Sequence, residues 1–478
     1  MELYDNIQKA LGAKNVNVVV GDIYEFMAIW KEWYRGNVND FHFYDVKLSD
    51  GRTTQKERRT LNMAKKVCED FSKLEWSEKV EIKLDTKEAT TKLNEILDSK
   101  ENAFKVNFPM FLEQEYALGT MVTVEYKKDN KTIIDYIDGD VILPYRYINN
   151  YINGIITVSR SVVEEGKNKL YYNLLTYHEY ENGVYQTLKE LYVSKKENEL
   201  GEEIDFKAMY PNVKEYERFK TEHPRFQVWK LPIANNLDTA SPMGISILAN
   251  QLDKFKSIDI KYDSFDHEFG SGKRRVLVDK TALKSDVKGV DENGNPIMVS
   301  YFDSNDDVYV AIGGMNEQPV KDINFNLRTQ EHIDAINTEL NYLSAGVGLG
   351  NGFYQFDKTG LKTATEVVSE NSDTYRTMVH HRIPIYDCLY DLVATICEME
   401  NIPYNEISIN LDDSIIEDTD NIRKQALTEY NAGLISKAEY FRITRKLEEQ
   451  SAIDYVEKMN KEIQKQEISD GSEFDLKE

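Results

Sequence analysis

Residues 244–270 read Gly-Ile-Ser-Ile-Leu-Ala-Asn-Gln-Leu-Asp-Lys-Phe-Lys-Ser-Ile-Asp-Ile-Lys-Tyr-Asp-Ser-Phe-Asp-His-Glu-Phe-Gly. Leu248, Leu252, Phe255, Ile258, Tyr262, Phe265 and Phe269 recur at steps of three and four, with a mean of about 3.5. That period makes a narrow seam that packs against a parallel or antiparallel neighbour helix, where a globular surface helix would show a wider stripe. Its flanks are charged: Asp253, Lys254, Lys256, Asp259, Lys261, Asp263 and Asp266. As one helix the stretch would run ~39 Å. It reads either as a core helix of an α-bundle or as a helix packed side by side with copies of itself.

Downstream, residues 271–325 have the short β-branched runs of a small β insert. It begins Gly272-Lys-Arg-Arg-Val-Leu-Val, with a basic cluster at Lys273, Arg274 and Arg275. The loop Asp291-Glu-Asn-Gly-Asn-Pro has Phe302 where a calcium loop needs its last carboxylate, so it reads as a plain turn. Leu327 to Val347 returns to helix, with Ile333, Ile336, Leu340 and Leu343 on one face. Gly346-Val-Gly-Leu-Gly-Asn-Gly-Phe-Tyr-Gln-Phe-Asp-Lys-Thr-Gly follows and reads as a mobile loop. No strand precedes it and no Walker lysine–serine follows, so it is no nucleotide loop. A second long helix is predicted over 362–399, kinked near 380–384 by Pro384. His380 and His381 point about 100° apart on it with no carboxylate or cysteine at i±4, and read as surface or interface histidines. Residues 405–411 alternate like a strand. Gly433 and the Ser436/Glu439 box mark a junction between two short helices.

Upstream, helices are predicted over 22–34, Thr54–Leu74 and Lys87–Leu97. Residues 104–231 read as a helix near Met110–Leu118 feeding an antiparallel sheet region. Its turns are expected at Asp129-Asn130, Asp138-Gly139, Asn153-Gly154 and Asn182-Gly183. Residues 195–225 look like an exposed, irregular insertion. The fold class is therefore α+β.

The chain has 478 residues, length for about three structural units, and a 41% hydrophobic fraction that excludes global disorder. Its net charge is −24, which excludes a coat of nucleic acid held by general charge attraction. Cys68, Cys388 and Cys397 are too few and dispersed for a disulfide framework or a zinc site, and point to a reducing compartment. The N-terminus shows no signal peptide, and no apolar stretch approaches a membrane span. GxSxG, HExxH and the P-loop are all absent. No catalytic residue, metal ligand or cofactor is expected.

The order of parts resembles the portal proteins of tailed double-stranded DNA bacteriophages, the group from phages of Gram-positive hosts. The resemblance is carried by Ser241-Pro-Met-Gly-Ile-Ser-Ile-Leu-Ala-Asn-Gln-Leu-Asp-Lys-Phe-Lys-Ser-Ile-Asp, Tyr262-Asp-Ser-Phe-Asp-His-Glu-Phe and Lys362-Thr-Ala-Thr-Glu-Val-Val-Ser-Glu-Asn-Ser, and by Asp413-Ser-Ile-Ile-Glu-Asp with Ala432-Gly-Leu-Ile-Ser-Lys. It spans about 240–445; the first 230 residues match only in general character and in Phe108-Pro-Met-Phe-Leu-Glu-Gln-Glu-Tyr. It implies a structural protein without enzymatic activity, assembled in the bacterial cytoplasm as a ring of twelve around a DNA channel at one capsid vertex. Residues 1–240 would be the wing. Residues 241–270 and 326–347 would be two stem helices, with 271–325 the clip between them. Residues 348–361 would be a tunnel loop. Residues 362–411 would return to the wing, and 412–478 would form the crown.

The implied partners are copies of itself, double-stranded DNA passing through the channel, the terminase motor, neck or head–tail adaptor proteins, and the major capsid and scaffold proteins. No membrane is implied. Gly350, Asn351, Gly352, Phe353, Tyr354, Gln355 and Lys358 would line the tunnel loop. Leu248, Leu252, Phe255, Tyr262 and Phe269 would serve ring packing. Lys273, Arg274 and Arg275 would meet DNA phosphate or an acidic motor surface, or form intersubunit salt bridges. The alternatives are another phage neck or baseplate protein, or a cytosolic hydrolase.

Overall fold

The computed structural model describes residues 2–459, apart from 15, 20, 48–50, 77–79, 166–167, 273–274, 280–284, 291–293, 295, 301–308, 313–319, 324–325, 357–363, 412–418 and 446–450. The chain opens with α1 (Glu2–Ala13), α2 (Ile23–Arg35) and the single turn α3 (Asn39–His42). A hairpin, β1 (Phe43–Lys47) and β2 (Thr53–Glu57), leads to α4 (Met63–Glu75). The predicted helix from Thr54 thus starts nine residues late. Thr53 and Thr54 are β-branched, and β1 supplies a ladder partner for their backbone. Then come β3 (Glu81–Leu84), α5 (Lys87–Leu97) and α6 (Phe104–Leu118).

The antiparallel region follows as the sequence predicts. It comprises β4 (Thr120–Lys128), β5 (Lys131–Asp138), β6 (Ile142–Ile148), β7 (Tyr151–Glu165), β8 (Asn168–Glu181), β9 (Val184–Ser194), β10 (Glu202–Ile204), the turn α7 (Phe206–Met209), β11 (Tyr216–Lys220) and β12 (Phe226–Lys230). β4 lies between β12 and β5, and a larger sheet runs β10-β9-β8-β7-β6 with β11 also on β9. The supposed irregular insertion at 195–225 therefore contributes two strands. Asp129-Asn130 and Asn182-Gly183 both have paired positive φ, the geometry of two-residue hairpin turns. Asn153-Gly154 is no turn. It lies inside β7, where Gly154 faces an irregularity in β6 and its missing Cβ leaves room for Tyr145 and Arg146. The turn is at Asn149-Asn150, Asn149 having φ 55°.

After β12 come α8 (Leu252–Ser271), then β13 (Arg275–Asp279), β14 (Ser285–Val290), β15 (Pro296–Ser300), β16 (Tyr309–Ile312) and β17 (Val320–Ile323), and then α9 (Thr329–Gly346). β13 pairs with β16 and β17, and β14 with β15. The chain closes with α10 (Ala364–Glu400), β18 (Ile407–Asn410) on β3, α11 (Thr419–Asn431) and α12 (Lys437–Arg445). Gly433 at φ 73° ends the first of this last pair, and Ser436 Oγ accepts the Glu439 amide at 3.0 Å to begin the second.

Three apolar clusters hold the body. One packs α1 and α2 on the large sheet around Trp30, Ile142 and Ile155. A second joins α5, α6 and the C-terminal half of α10 around Phe108, Trp229 and Leu392. The third gathers α4, α8, α9 and Met378 of α10 around Phe71, Phe255 and Leu340.

Candidate channel and assembly elements

The predicted helix from Gly244 begins only at Leu252, and the reason is long-range. The Gly244 amide donates to Thr120 Oγ1 at 2.8 Å, and the Ile247 amide to the Tyr116 carbonyl at 3.1 Å. A Cβ on Gly244 would lie 2.3 Å from the Gly119 carbonyl oxygen, so this crossing tolerates only glycine. Amides committed to α6 and β4 cannot close helical turns. Leu248 is fully buried in this tethered stretch.

α8 then leaves the body along a gradient. Phe255 and Ile258 are buried against Leu340 and Leu343 of α9 in the third cluster. Leu252 and Tyr262 are half-buried, and Phe269 is 47% exposed. The seam is thus filled chiefly by α9 of the same chain. That corrects the expectation that Leu248 and Phe255 pack between copies, since neither has surface to offer. At the root, Asp259 accepts three hydrogen bonds: from Leu61 N at 2.9 Å, Thr60 Oγ1 at 2.9 Å and His42 Nε2 at 3.2 Å. The Val38 amide donates to His42 Nδ1, so a neutral ring carries its proton on Nε2 and donates it to Asp259. Burial raises the Asp259 pKa, and its hydrogen bonds counter that rise. Further out, Lys261 meets Glu339 at 2.9 Å, and Glu268 takes Arg328 bidentately. The Arg328 hydrogen bonds hold the Glu268 carboxyl down to about 2. This pair ties the end of α8 to the start of α9. The strands of 275–323 lie between those two points in sequence and pair with one another.

The glycine-rich segment also differs from its reading as a mobile loop. Through Phe356 it is a compact turn clamped between α9 and α10. The Leu349 amide returns to Ser344 O at 2.8 Å, and the Gly350 amide donates to Thr374 Oγ1 at 3.1 Å. Thr377 Oγ1 donates to Gly348 O at 2.5 Å, and the Tyr354 amide donates to Ser344 Oγ at 3.1 Å. Gly348 has φ 83°, and a Cβ there would strike Thr377. Gly350, Gly352 and Tyr354 are buried, Phe353 and Gln355 half-buried, and Asn351 exposed. Burial raises the Tyr354 hydroxyl pKa, with Asp70 adding to it. Tyr354 is therefore a core residue, which corrects its placement on a channel wall. Lys358, Lys273 and Arg274 lie outside the described residues; Arg275 opens β13.

His381 is a further correction. It is buried, stacked on Phe71 and Tyr116, with Nδ1 at 3.2 Å from the Tyr116 hydroxyl. Burial pushes its pKa down to about 4, with His380 adding to the shift. Beside it lie the buried pair Arg382–Glu75 at 2.9 Å and Glu115, whose carboxyl burial raises to about 8. No short-range pattern announces this polar knot, because α4, α6 and α10 supply its members from distant positions.

Residues 24–466 match the model of the family described as phage portal protein, SPP1 Gp6-like. The chain belongs to the phage portal protein family. It is thus a structural component of the phage virion, of the kind through which DNA is packaged. The match reaches far into the N-terminal half, where residue-level resemblance was faint. No curated protein matches the chain. Among the described residues, no helix of this portal protein is long and apolar enough to cross a membrane. Nor is any group of three or more His, Cys, Asp or Glu side chains placed to hold a metal.

Proposed function

We propose that copies of this chain close into a ring of about twelve subunits around a channel for double-stranded DNA at one capsid vertex. In this reading α8 and α9 form the stem. The strands of 275–323 form the clip that meets the packaging motor and later the neck adaptor. α10 returns to the wing, and the C-terminal helices form the crown inside the capsid. Capsid and scaffold proteins would surround the ring.

The observation that carries the reading is the helix pair. Its root is fastened into the body through Asp259, its far end is closed by Glu268–Arg328, and a self-paired β insert separates its two helices. Charge supports a conduit. α9 carries Glu331 and Asp334, with Glu339 turned to Lys261 of α8, and no lysine or arginine. A wall with that face releases few phosphate counterions, so duplex DNA slides past without being held. Asn351 and Gln355 remain candidates for approach to DNA, with Lys358 beyond them in sequence. Lys273, Arg274 and Arg275 remain candidates for DNA phosphate, an acidic motor surface or intersubunit pairing.

Negative-stain imaging of the purified chain tests the proposal. Rings with a central hole that admits duplex DNA are expected. Monomers that persist even when capsid and scaffold proteins are supplied would overturn it.

A further inference from the structure

We infer that the outer face of α10 built by Tyr375, Val379, Ile383 and Tyr386 is a seat for a second copy of this chain. The inference rests on the ring reading and names one of its contacts. The four side chains recur at i, i+4, i+8 and i+11, so they form one row along the helix. They are between 38% and 58% exposed. The adjoining face of the same helix, about 100° round from the row, buries Met378, Ile385, Leu389 and Leu392. The apolar surface of α10 thus extends well beyond the sector that its own chain covers, which leaves the row to be covered from outside. No other helix carries more than two exposed large apolar side chains among the described residues.

Charge selects the occupant. Each chain carries −24, so copies repel wherever their acidic surfaces meet. Between 372 and 387 the exposed acidic and basic groups of α10 are Asp373 and Arg376, paired with each other at 3.4 Å, His380, and Asp387 at the row's end. The row therefore offers apolar area with a single unbalanced carboxylate at one end, close to the composition of a homo-oligomer interface core. It offers nothing to grip nucleic acid, which needs cations. In a ring of more than two copies the contact is heterologous, so the row meets a different face of the next subunit.

The full chain is assayed by negative stain and sedimentation as wild type and as Ile383→Asp, with melting of both followed by circular dichroism. A photo-crosslinking residue is separately placed at Val379 in the otherwise wild-type chain. The expected result is wild-type rings, an Ile383→Asp chain that melts within a few degrees of wild type yet does not form rings, and crosslinks from position 379 to peptides of another copy outside this row. Rings that persist in Ile383→Asp overturn the inference and leave the ring reading standing. Absence of wild-type rings beside capsid and scaffold proteins overturns the ring reading, and this inference with it. Should Ile383→Asp fail to fold, the crosslink decides: row-to-row crosslinks, or none between copies, overturn the inference.

Discussion

The two ends of α8 obey different rules. At its root Phe255 is 2% exposed, wedged near Trp33 and the α9 leucines, and Asp259 is saturated by three donors four residues on. About four turns further along, Phe269 is 47% exposed and touches Phe265 of its own helix. Both aromatics belong to one continuous seam in the sequence. The difference teaches that one sequence seam is spent unevenly: the body of the same chain fills it at the root, and at the tip it stays open, where the ring reading would place a neighbouring copy.

The sharpest way to break this comparison is at the root. Phe255→Ala should cost about 3–5 kcal/mol, because the cavity lies where α4, α8 and α9 all meet and cannot collapse. The loss should appear as a lower midpoint in urea unfolding of the unassembled chain. A change below about 1 kcal/mol would mean that the root is not the anchor that its burial implies.

Next in size is the polar knot beside the root cluster, which pH can interrogate. The native Glu115 carboxyl holds its proton up to about 8, whereas an unfolded one loses it near the ordinary carboxylate value. Between those values the native state binds more protons, so this group makes stability fall as pH rises. Glu115→Gln should remove that fall: near-neutral at pH 5, and stabilising by up to about 3 kcal/mol at pH 8. His381 works in the opposite sense. Its native pKa of about 4 lies below the unfolded value, so stability is lost as pH falls from about 6.5 towards 4. Equal effects of Glu115→Gln at pH 5 and pH 8 would show that the carboxyl is ionised in the folded chain.

Removing the latch is the third step. Asp259→Ala leaves the Leu61 amide, the Thr60 hydroxyl and His42 without their acceptor, at a cost of about 1–3 kcal/mol. The loss should be accompanied by faster amide exchange at Leu61 and in the first turns of α8. Exchange unchanged there would mean that packing alone holds the helix to the body.

What the sequence made legible and what it hid follow from range. Helical periodicity and turn chemistry are local, so α2, α5, α9 and the hairpin turns at 129–130 and 182–183 could be read directly. The same local signals misplaced the start of α8, because the fate of the Gly244 and Ile247 amides is decided by Thr120 and Tyr116, more than a hundred residues away. They misread the glycines of 346–352 as freedom. Gly348 is there because Thr377 leaves no room for a Cβ, and only a folded α9–α10 junction reveals it. They set His381 on the surface because its partners, Phe71 and Tyr116, come from two other helices. Tyr354 was drawn to the channel by its place in a loop, while its ring belongs to the third cluster. The seam of α8 was legible down to Phe269, because it is a pattern along a single helix, whereas the row on α10 went unread, since the period alone does not say which face of that helix the body buries.

The smallest effect separates the two ends most cleanly. Phe269→Ala should change the stability of the unassembled chain by less than about 0.5 kcal/mol, since exposed side chains away from buried features rarely matter more. Its consequence should emerge only on assembly, as fewer or less stable rings at a given protein concentration. Were Phe269→Ala to lower the unfolding midpoint as far as Phe255→Ala, the tip would already be packed within the subunit. The gradient along α8 would then say nothing about neighbours. Were it silent in both assays, the tip would be free of the body and of its copies alike, and any contact between copies along the helix pair would have to run through Tyr262, Tyr342 and the charged flanks of α8.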